Sequence, residues 1–135
     1  MVKNSSEDNF LVFNSDTIWS LDYLTCIMEM ENFYYTNKIK NVLLIVNKKQ
    51  SFDKSLKGDF NLNNNKLTRN SVNNYIFTGC QIINKSIIKS INKKTFSILE
   101  IWDQLISQQD LFGIESKNTF YHVTNLEIYN KLSKN

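Results

Sequence analysis

Asn41-Val42-Leu43-Leu44-Ile45-Val46-Asn47 decides the fold class. Its apolar residues run without alternation between two asparagines, the pattern of a strand covered on both faces. Before it, Leu21, Leu24, Ile27 and Met28 recur at helical spacing behind Ser20, with Tyr35 near the end. That spacing predicts a helix leading into the strand. Earlier still, Phe10-Leu11-Val12-Phe13 is a short apolar run that stops at Asn14-Ser15-Asp16, as a fully buried strand does. Strand, helix, strand is a βαβ unit, and it predicts an α/β fold with a parallel sheet.

Downstream the pattern changes. Asp59 to Leu62 and Lys66 to Arg69 flank Asn63-Asn64-Asn65, which predicts a β-hairpin with a polar tip. Tyr75 to Ile83 reads as another strand, with Gly79 marking either a bulge or a place where a ligand approaches the backbone. Ser97 and Glu100 form a capping box ahead of Ile98, Ile101, Trp102, Leu105 and Ile106, one apolar stripe of an amphipathic helix. Thr124 and Glu127 repeat the box ahead of Leu126, Tyr129 and Leu132. Leu111 to Ile114 and Thr119 to Val123 read as two short strands between those helices.

The 135 residues suffice for one domain with a real core. With 41% hydrophobic and 21% charged residues, 3 glycines and no proline, the chain is neither disordered nor collagen-like. No apolar run is long enough to span a bilayer. The polar start, Met1 to Asp8, lacks a secretory signal, so a cytoplasmic location is the default expectation. Alanine is absent, Arg69 is the sole arginine, and asparagine, lysine and isoleucine abound, which points to an AT-rich genome. The net charge of +3 comes from scattered lysines, of which Lys48-Lys49 and Lys93-Lys94 are only pairs. A nucleic-acid partner is not expected from that pattern. Cys26 and Cys80 read as two buried thiols.

Asp16 stands one step past a strand end, where α/β proteins commonly place metal and phosphate chemistry. A carboxylate there suits Mg²⁺ with waters and phosphate oxygens; a turn residue or helix cap is the plain alternative. His122 is the only histidine, so the usual zinc spacings cannot be met. No nucleophile elbow supports a hydrolase. Gly58-Asp59 and Thr78-Gly79 are candidate points where substrate meets backbone. With glycines only at 58, 79 and 113, neither a P-loop nor a dinucleotide fingerprint can be written.

Five passages, in order, resemble the sugar-1-phosphate nucleotidyltransferases. The likeness is greatest to N-acetylmuramate-1-phosphate uridylyltransferases and mannose-1-phosphate guanylyltransferase-like proteins. The passages are Leu11 to Trp19, Lys57 to Leu62, Tyr75 to Ile82, Phe96 to Asp103, and Phe120 to Val123. The resemblance implies a Rossmann-like domain, with a mixed sheet, that joins a nucleoside triphosphate to a sugar 1-phosphate. It implies Mg²⁺ as cofactor, with Asp16 as one ligand and His122 at the position of the second. It places Thr78 and Gly79 beside the sugar. Phosphoryl chemistry of this class is mainly positioning and charge neutralisation.

The departures carry equal weight. His122-Val123-Thr124-Asn125 stands where the resemblance would have an aspartate and a glycine turn, and imidazole is a poorer Mg²⁺ ligand than carboxylate. The family's first strand, glycine-rich loop and phosphate-contacting lysine have no counterpart, so residues 1–135 read as an incomplete domain lacking its nucleotide-binding segment. Three readings follow: a truncated protein inactive alone, the C-terminal half of a split nucleotidyltransferase, or a non-catalytic interaction module. The last two imply a partner, either an N-terminal half or a second copy.

Overall fold

The computed structural model describes residues 6–91 and 97–134. Met1 to Ser5, Lys93-Lys94 and Phe96 of the passages above lie outside the described residues. The elements are β1 (Asn9–Phe13), α1 (Tyr23–Thr36), β2 (Asn41–Asn47), β3 (Asn61–Asn63), β4 (Lys66–Thr68), β5 (Tyr75–Asn84), α2 (Lys85–Lys89), α3 (Ile98–Ser107), β6 (Gly113–Ser116) and α4 (Leu126–Leu132). A four-stranded mixed sheet has the order β1-β5-β2-β6, and β3 and β4 form a separate hairpin.

Strand β2 is the centre of the molecule. Val42 and Leu44 face one core, with Tyr23, Met30 and Tyr34 of α1. Leu43 and Ile45 face the other, with Phe60, Leu67, Trp102 and Leu105. Each of these aliphatic side chains is fully buried, a gain of about 1.5–3 kcal/mol apiece relative to exposure. The unbroken apolar run therefore has the cause inferred from it: helix cover on one face, and helix plus hairpin on the other.

The sheet is mixed, as the resemblance implies, and not parallel as the local βαβ pattern suggests. β1 and β2 run in the same direction, but β5 lies between them and is antiparallel to both. Only β2 and β6 form a parallel pair. The helix connection brings β2 back two places away, leaving a slot that the long β5 fills. For the same reason β1 is an edge strand and not a fully buried one. Its residues alternate between exposed and half-buried, and Leu11 and Phe13 are 45% and 43% exposed.

Helix α1 is corrected as well. It begins at Tyr23 and buries Tyr23, Cys26, Met30 and Tyr34, a second apolar stripe at helical spacing. That face carries two tyrosines whose hydroxyls find acceptors, Tyr23 on the Thr119 carbonyl and Tyr34 on Asn9 Oδ1. A buried tyrosine so satisfied brings a large apolar area without an unpaired hydroxyl. Leu21, Leu24 and Met28 of the first stripe are left mainly exposed, with Tyr35.

The hairpin forms as read. Asn64 and Asn65 take φ of 48° and 62°, the pair of left-handed residues that a two-residue turn of matching twist requires. Helix α3 also forms as read: the Ser97 hydroxyl caps the Leu99 N–H, and Ile101, Trp102 and Leu105 are buried. At α4 the cap is Asn125, whose Oδ1 accepts from the Ile128 N–H. Thr124 does not cap, because its hydroxyl donates to Asp53. Thr119 to Val123 is not a strand; Phe120 and His122 make isolated bridges to Ser51 and Thr17.

Candidate functional site

The candidate site lies at the carboxyl ends of β1, β2 and β6, beside the first half of β5. Its geometry begins with the bulge in β5. Opposite β2 the register passes from Ile45↔Phe77 to Leu43↔Gln81, so β5 carries extra residues around Gly79. Gly79 has φ of +93°, and a Cβ there would sit 2.6 Å from Asn14 Cβ. Glycine is required on both counts. The Asn14 N–H donates to the Gly79 carbonyl at 2.9 Å, which ties the end of β1 to the bulge and aims the next residues outward.

Thr78 is almost wholly buried. Its hydroxyl donates to the Leu44 carbonyl at 2.9 Å, and its own carbonyl accepts from the Thr17 hydroxyl at 2.7 Å. The side chain fastens β5 to β2 and anchors the 14–17 turn. Gly79 is buried too, with its carbonyl taken by the Asn14 N–H, so the pair shapes the turn from beneath.

Asp16 and His122 are brought together from opposite ends of the sequence. The Val123 N–H donates to the Asp16 carbonyl at 2.8 Å, and the Ile18 N–H donates to the Tyr121 carbonyl at 2.9 Å. These two bonds lay the segments side by side and set His122 Nδ1 3.7 Å from Asp16 Oδ1. The imidazole stacks on the buried Phe120 ring, with centroids 5.7 Å apart and planes 10° apart. His122 Nδ1 is buried and has no hydrogen-bond partner among the described residues. Asp16 by contrast is about half exposed.

Asp53 holds the same region from behind. Buried itself, it accepts from the Ser55 N–H and hydroxyl at 2.9 and 2.6 Å and from the Thr124 hydroxyl at 2.7 Å. Those donors hold its carboxyl below the usual carboxylate range. The clamp on Thr124 fixes the chain just after His122.

Asp59 is the side chain that the sequence reading undervalued. It entered as a backbone contact point, yet its Oδ2 accepts from the Phe77 N–H at 2.9 Å. Burial raises its pKa, while the Phe77 N–H and the charges of Arg69 and His122 pull the other way. Burial is the largest of these effects and His122 the smallest. Gly58 makes that placement possible, since a Cβ there would meet the Asn73 carbonyl oxygen at 2.1 Å. The available signal was a Gly-Asp step directly before a core phenylalanine, Phe60.

Arg69, the sole arginine, is already engaged. It pairs with Asp103 at 2.6 Å, donates to the Asp59 carbonyl and lies over the Phe60 ring. It builds the wall of the site and is not offered to a phosphate. Beyond Ile18 and Tyr121 opens a cleft of about 340 Å³, lined also by Ser20, Tyr23, Asn118 and Thr119. Cys26 and Cys80 are free, buried thiols in the α1 core, and burial pushes Cys80 up to about 12.

Asp16 and His122 are the side chains that a Mg²⁺ ion would meet here. Among the described residues no three His, Cys, Asp or Glu side chains converge as a metal site. Asp16 is a single carboxylate, and its neighbour is an imidazole, a weak ligand for a hard cation. The residues present do not make a Mg²⁺ site by themselves.

No family model matches the sequence, and no curated protein matches it either. Solved structures do. A putative glucose-1-phosphate thymidylyltransferase from Bacillus anthracis, in complex with a sucrose, aligns with a TM-score of 0.72 at 15% identity. The match covers 98% of this chain and 56% of that one. HddC from Yersinia pseudotuberculosis aligns at 0.68 and 19% identity, covering 98% and 57%. The inositol-1-phosphate CTP transferase from T. maritima aligns at 0.64 and 13% identity, covering 98% and 58%. At such identities the likeness establishes the fold: a nucleotidyltransferase-like, Rossmann-like arrangement. The chain spans just over half the length of these proteins. No helix among the described residues is long and apolar enough to cross a membrane.

Proposed function

We propose that this chain is a nucleotidyltransferase-like protein that binds a phosphorylated sugar or nucleotide and does not catalyse nucleotidyl transfer alone. The convergence of Asp16, His122, Asp59 and the Gly79 bulge at one end of the sheet carries the reading. Such a set offers a carboxylate and an imidazole at the phosphate end, and a second carboxylate able to accept sugar hydroxyls. The neighbouring cleft has the volume of a small-ligand pocket. Thr78 and Gly79 contribute through the bulge, by fixing the turn that carries Asp16.

Inactivity alone follows from charge. Transfer between phosphates needs several positive groups or metal ions around the developing charge. This site has one half-exposed carboxylate beside an imidazole, and its arginine is committed to Asp103. Asp16 and His122 then stand at a reduced metal position, and any Mg²⁺ would arrive with the ligand's phosphates. The two free buried thiols suit a reducing, cytoplasmic compartment.

The test is calorimetric titration of the 135-residue chain with glucose 1-phosphate, UTP and GTP, with and without Mg²⁺, beside a pyrophosphate-release assay. Binding that Asp59→Asn weakens at least about tenfold, the equivalent of 1.4 kcal/mol, with no pyrophosphate release, is expected. Release of pyrophosphate by the chain alone overturns the inactivity, and absence of any binding overturns the ligand class.

A split enzyme is the second reading, favoured by the chain's spanning little more than half of its structural neighbours. Translating the adjacent upstream DNA tests it. A separate reading frame with a glycine-rich loop between strands supports it, and the absence of such a frame removes it.

A further inference from the structure

His122 carries a buried polar atom that the fold leaves unpaired. Its side chain is 23% exposed, and of its two ring nitrogens only Nδ1 is both buried and without a hydrogen-bond partner among the described residues. Leaving such a group unpaired is costly. The acceptor in reach is Asp16 Oδ1, which at 3.7 Å stands just beyond hydrogen-bond length. Asp16 is 52% exposed, and no other described residue holds its carboxylate, so it is free to turn and close the gap. The ring is not free to come away. It stacks on the buried Phe120. Its backbone is fixed by the bridge to Thr17, by the Ile18–Tyr121 and Val123–Asp16 hydrogen bonds, and by the Thr124 hydroxyl on Asp53.

We propose that a hydrogen bond from His122 to Asp16 occupies the place of a metal ion in this chain, with Nδ1–H donating to the carboxylate. Asp16 is then a positioning residue for the imidazole. The competing arrangement, a Mg²⁺ ion between the two side chains, asks Nδ1 for its lone pair and offers a hard cation one carboxylate. Nδ1 is also shut off from solvent, so an ion that keeps several waters cannot reach it with its shell in place. Among the described residues no third ligand stands by to replace those waters. An N–H aimed at Oδ1 satisfies the buried atom and engages the carboxylate at once. The same bond fixes the tautomer, since a neutral ring that donates from Nδ1 keeps its lone pair on Nε2. The proposal concerns the pair itself and stands independently of the ligand-binding reading.

His122 is the only histidine, so the imidazole nitrogens of an isotope-labelled chain give a single set of NMR signals. Heteronuclear correlation in alkaline buffer, with the ring neutral, is expected to show the Nδ1–H tautomer in the natural chain. The tautomer reports which nitrogen donates, which packing alone would not move. Asp16→Ala is expected to shift it to Nε2–H with an unchanged far-UV circular dichroism spectrum, because the Asp16 side chain is half exposed. Mn²⁺, the probe for a divalent cation, is expected to leave the ring signals of the natural chain unbroadened up to about 1 mM. His122→Asp sets two carboxylates at this place and is expected to bind Mn²⁺ with Kd of about 1 mM or tighter, gaining thermal stability from it. An Nε2–H tautomer in the natural chain overturns the proposal. So does a tautomer that Asp16→Ala leaves unchanged, or Mn²⁺ binding by the natural chain that Asp16→Ala abolishes. A folded His122→Asp variant that takes up no Mn²⁺ also overturns it, since the pair would then not stand where a metal could.

Discussion

At the β6 end of the sheet, the β3–β4 hairpin closes what would be a bare edge. Leu67 N–H donates to the Leu111 carbonyl and Gly113 N–H to the Asn65 carbonyl, at 2.8 and 2.9 Å. Leu67 itself is fully buried against Gly113, whose missing side chain leaves room for it. At the β1 end no strand among the described residues pairs with the free edge, and Leu11 and Phe13 stay about half exposed, Phe13 with Trp19 edge-on against its ring. Both edges are built from short strands, so strand length does not distinguish them. The difference lies in whether a later segment returns to cover the edge.

The largest effect is expected on the closed side. Leu67→Ala removes a fully buried side chain at the centre of the seal and should cost about 3 kcal/mol, read from urea unfolding. Gly58→Ala comes next. Its Cβ would meet a backbone oxygen, which cannot swing aside, and a loss of about 2 kcal/mol is expected in the same measurement. An unchanged midpoint for Leu67→Ala would mean that the closed side is not what holds the fold.

Asp53, which clamps the site end between the two edges, gives a pH-dependent effect of similar or smaller size. Its folded pKa is lowered by the Ser55 and Thr124 donors. A lowered carboxylate stabilises fully above its unfolded value, near pH 4, and the contribution is lost as pH falls through the folded value. Asp53→Ala should cost about 2 kcal/mol at pH 7, and the gap to the natural protein should narrow below pH 4. A gap that stays constant from pH 7 to below pH 4 would remove the carboxylate from the explanation.

The smallest effect belongs to the open side. Leu11→Thr should change the unfolding free energy of the monomer by no more than about 0.5 kcal/mol, since surface substitutions rarely do more. In the same urea measurement, a loss above about 2 kcal/mol would show that β1 is covered after all.

Much of the fold was legible before any coordinates. The unbroken run of β2 could be satisfied only by cover on both faces, and the asparagines at the hairpin tip tolerate the left-handed turn better than most residues. Ser97 and the Ile101-Trp102-Leu105 stripe fixed α3 locally. Helix α1 misled because it has two apolar stripes. Periodicity identifies a helix without saying which stripe finds the sheet, and the tyrosine face won by satisfying its hydroxyls on Thr119 and Asn9. At the site, Asp16 and His122 were each legible as candidates by position. Asp59 was not, because its importance comes from the Phe77 N–H eighteen residues later.

What the sequence determined alone was local: which segments are strands or helices, where glycine is indispensable, and which chemistry the residues exclude. With glycines only at 58, 79 and 113, neither a P-loop nor a dinucleotide fingerprint can be written, whatever the fold. Tertiary structure decided adjacency. It inserted β5 between β1 and β2, set His122 3.7 Å from Asp16 across more than a hundred residues, and left one sheet edge open while sealing the other. Those outcomes depend on competition among long-range contacts for the same surfaces, and that competition has no period or motif to read.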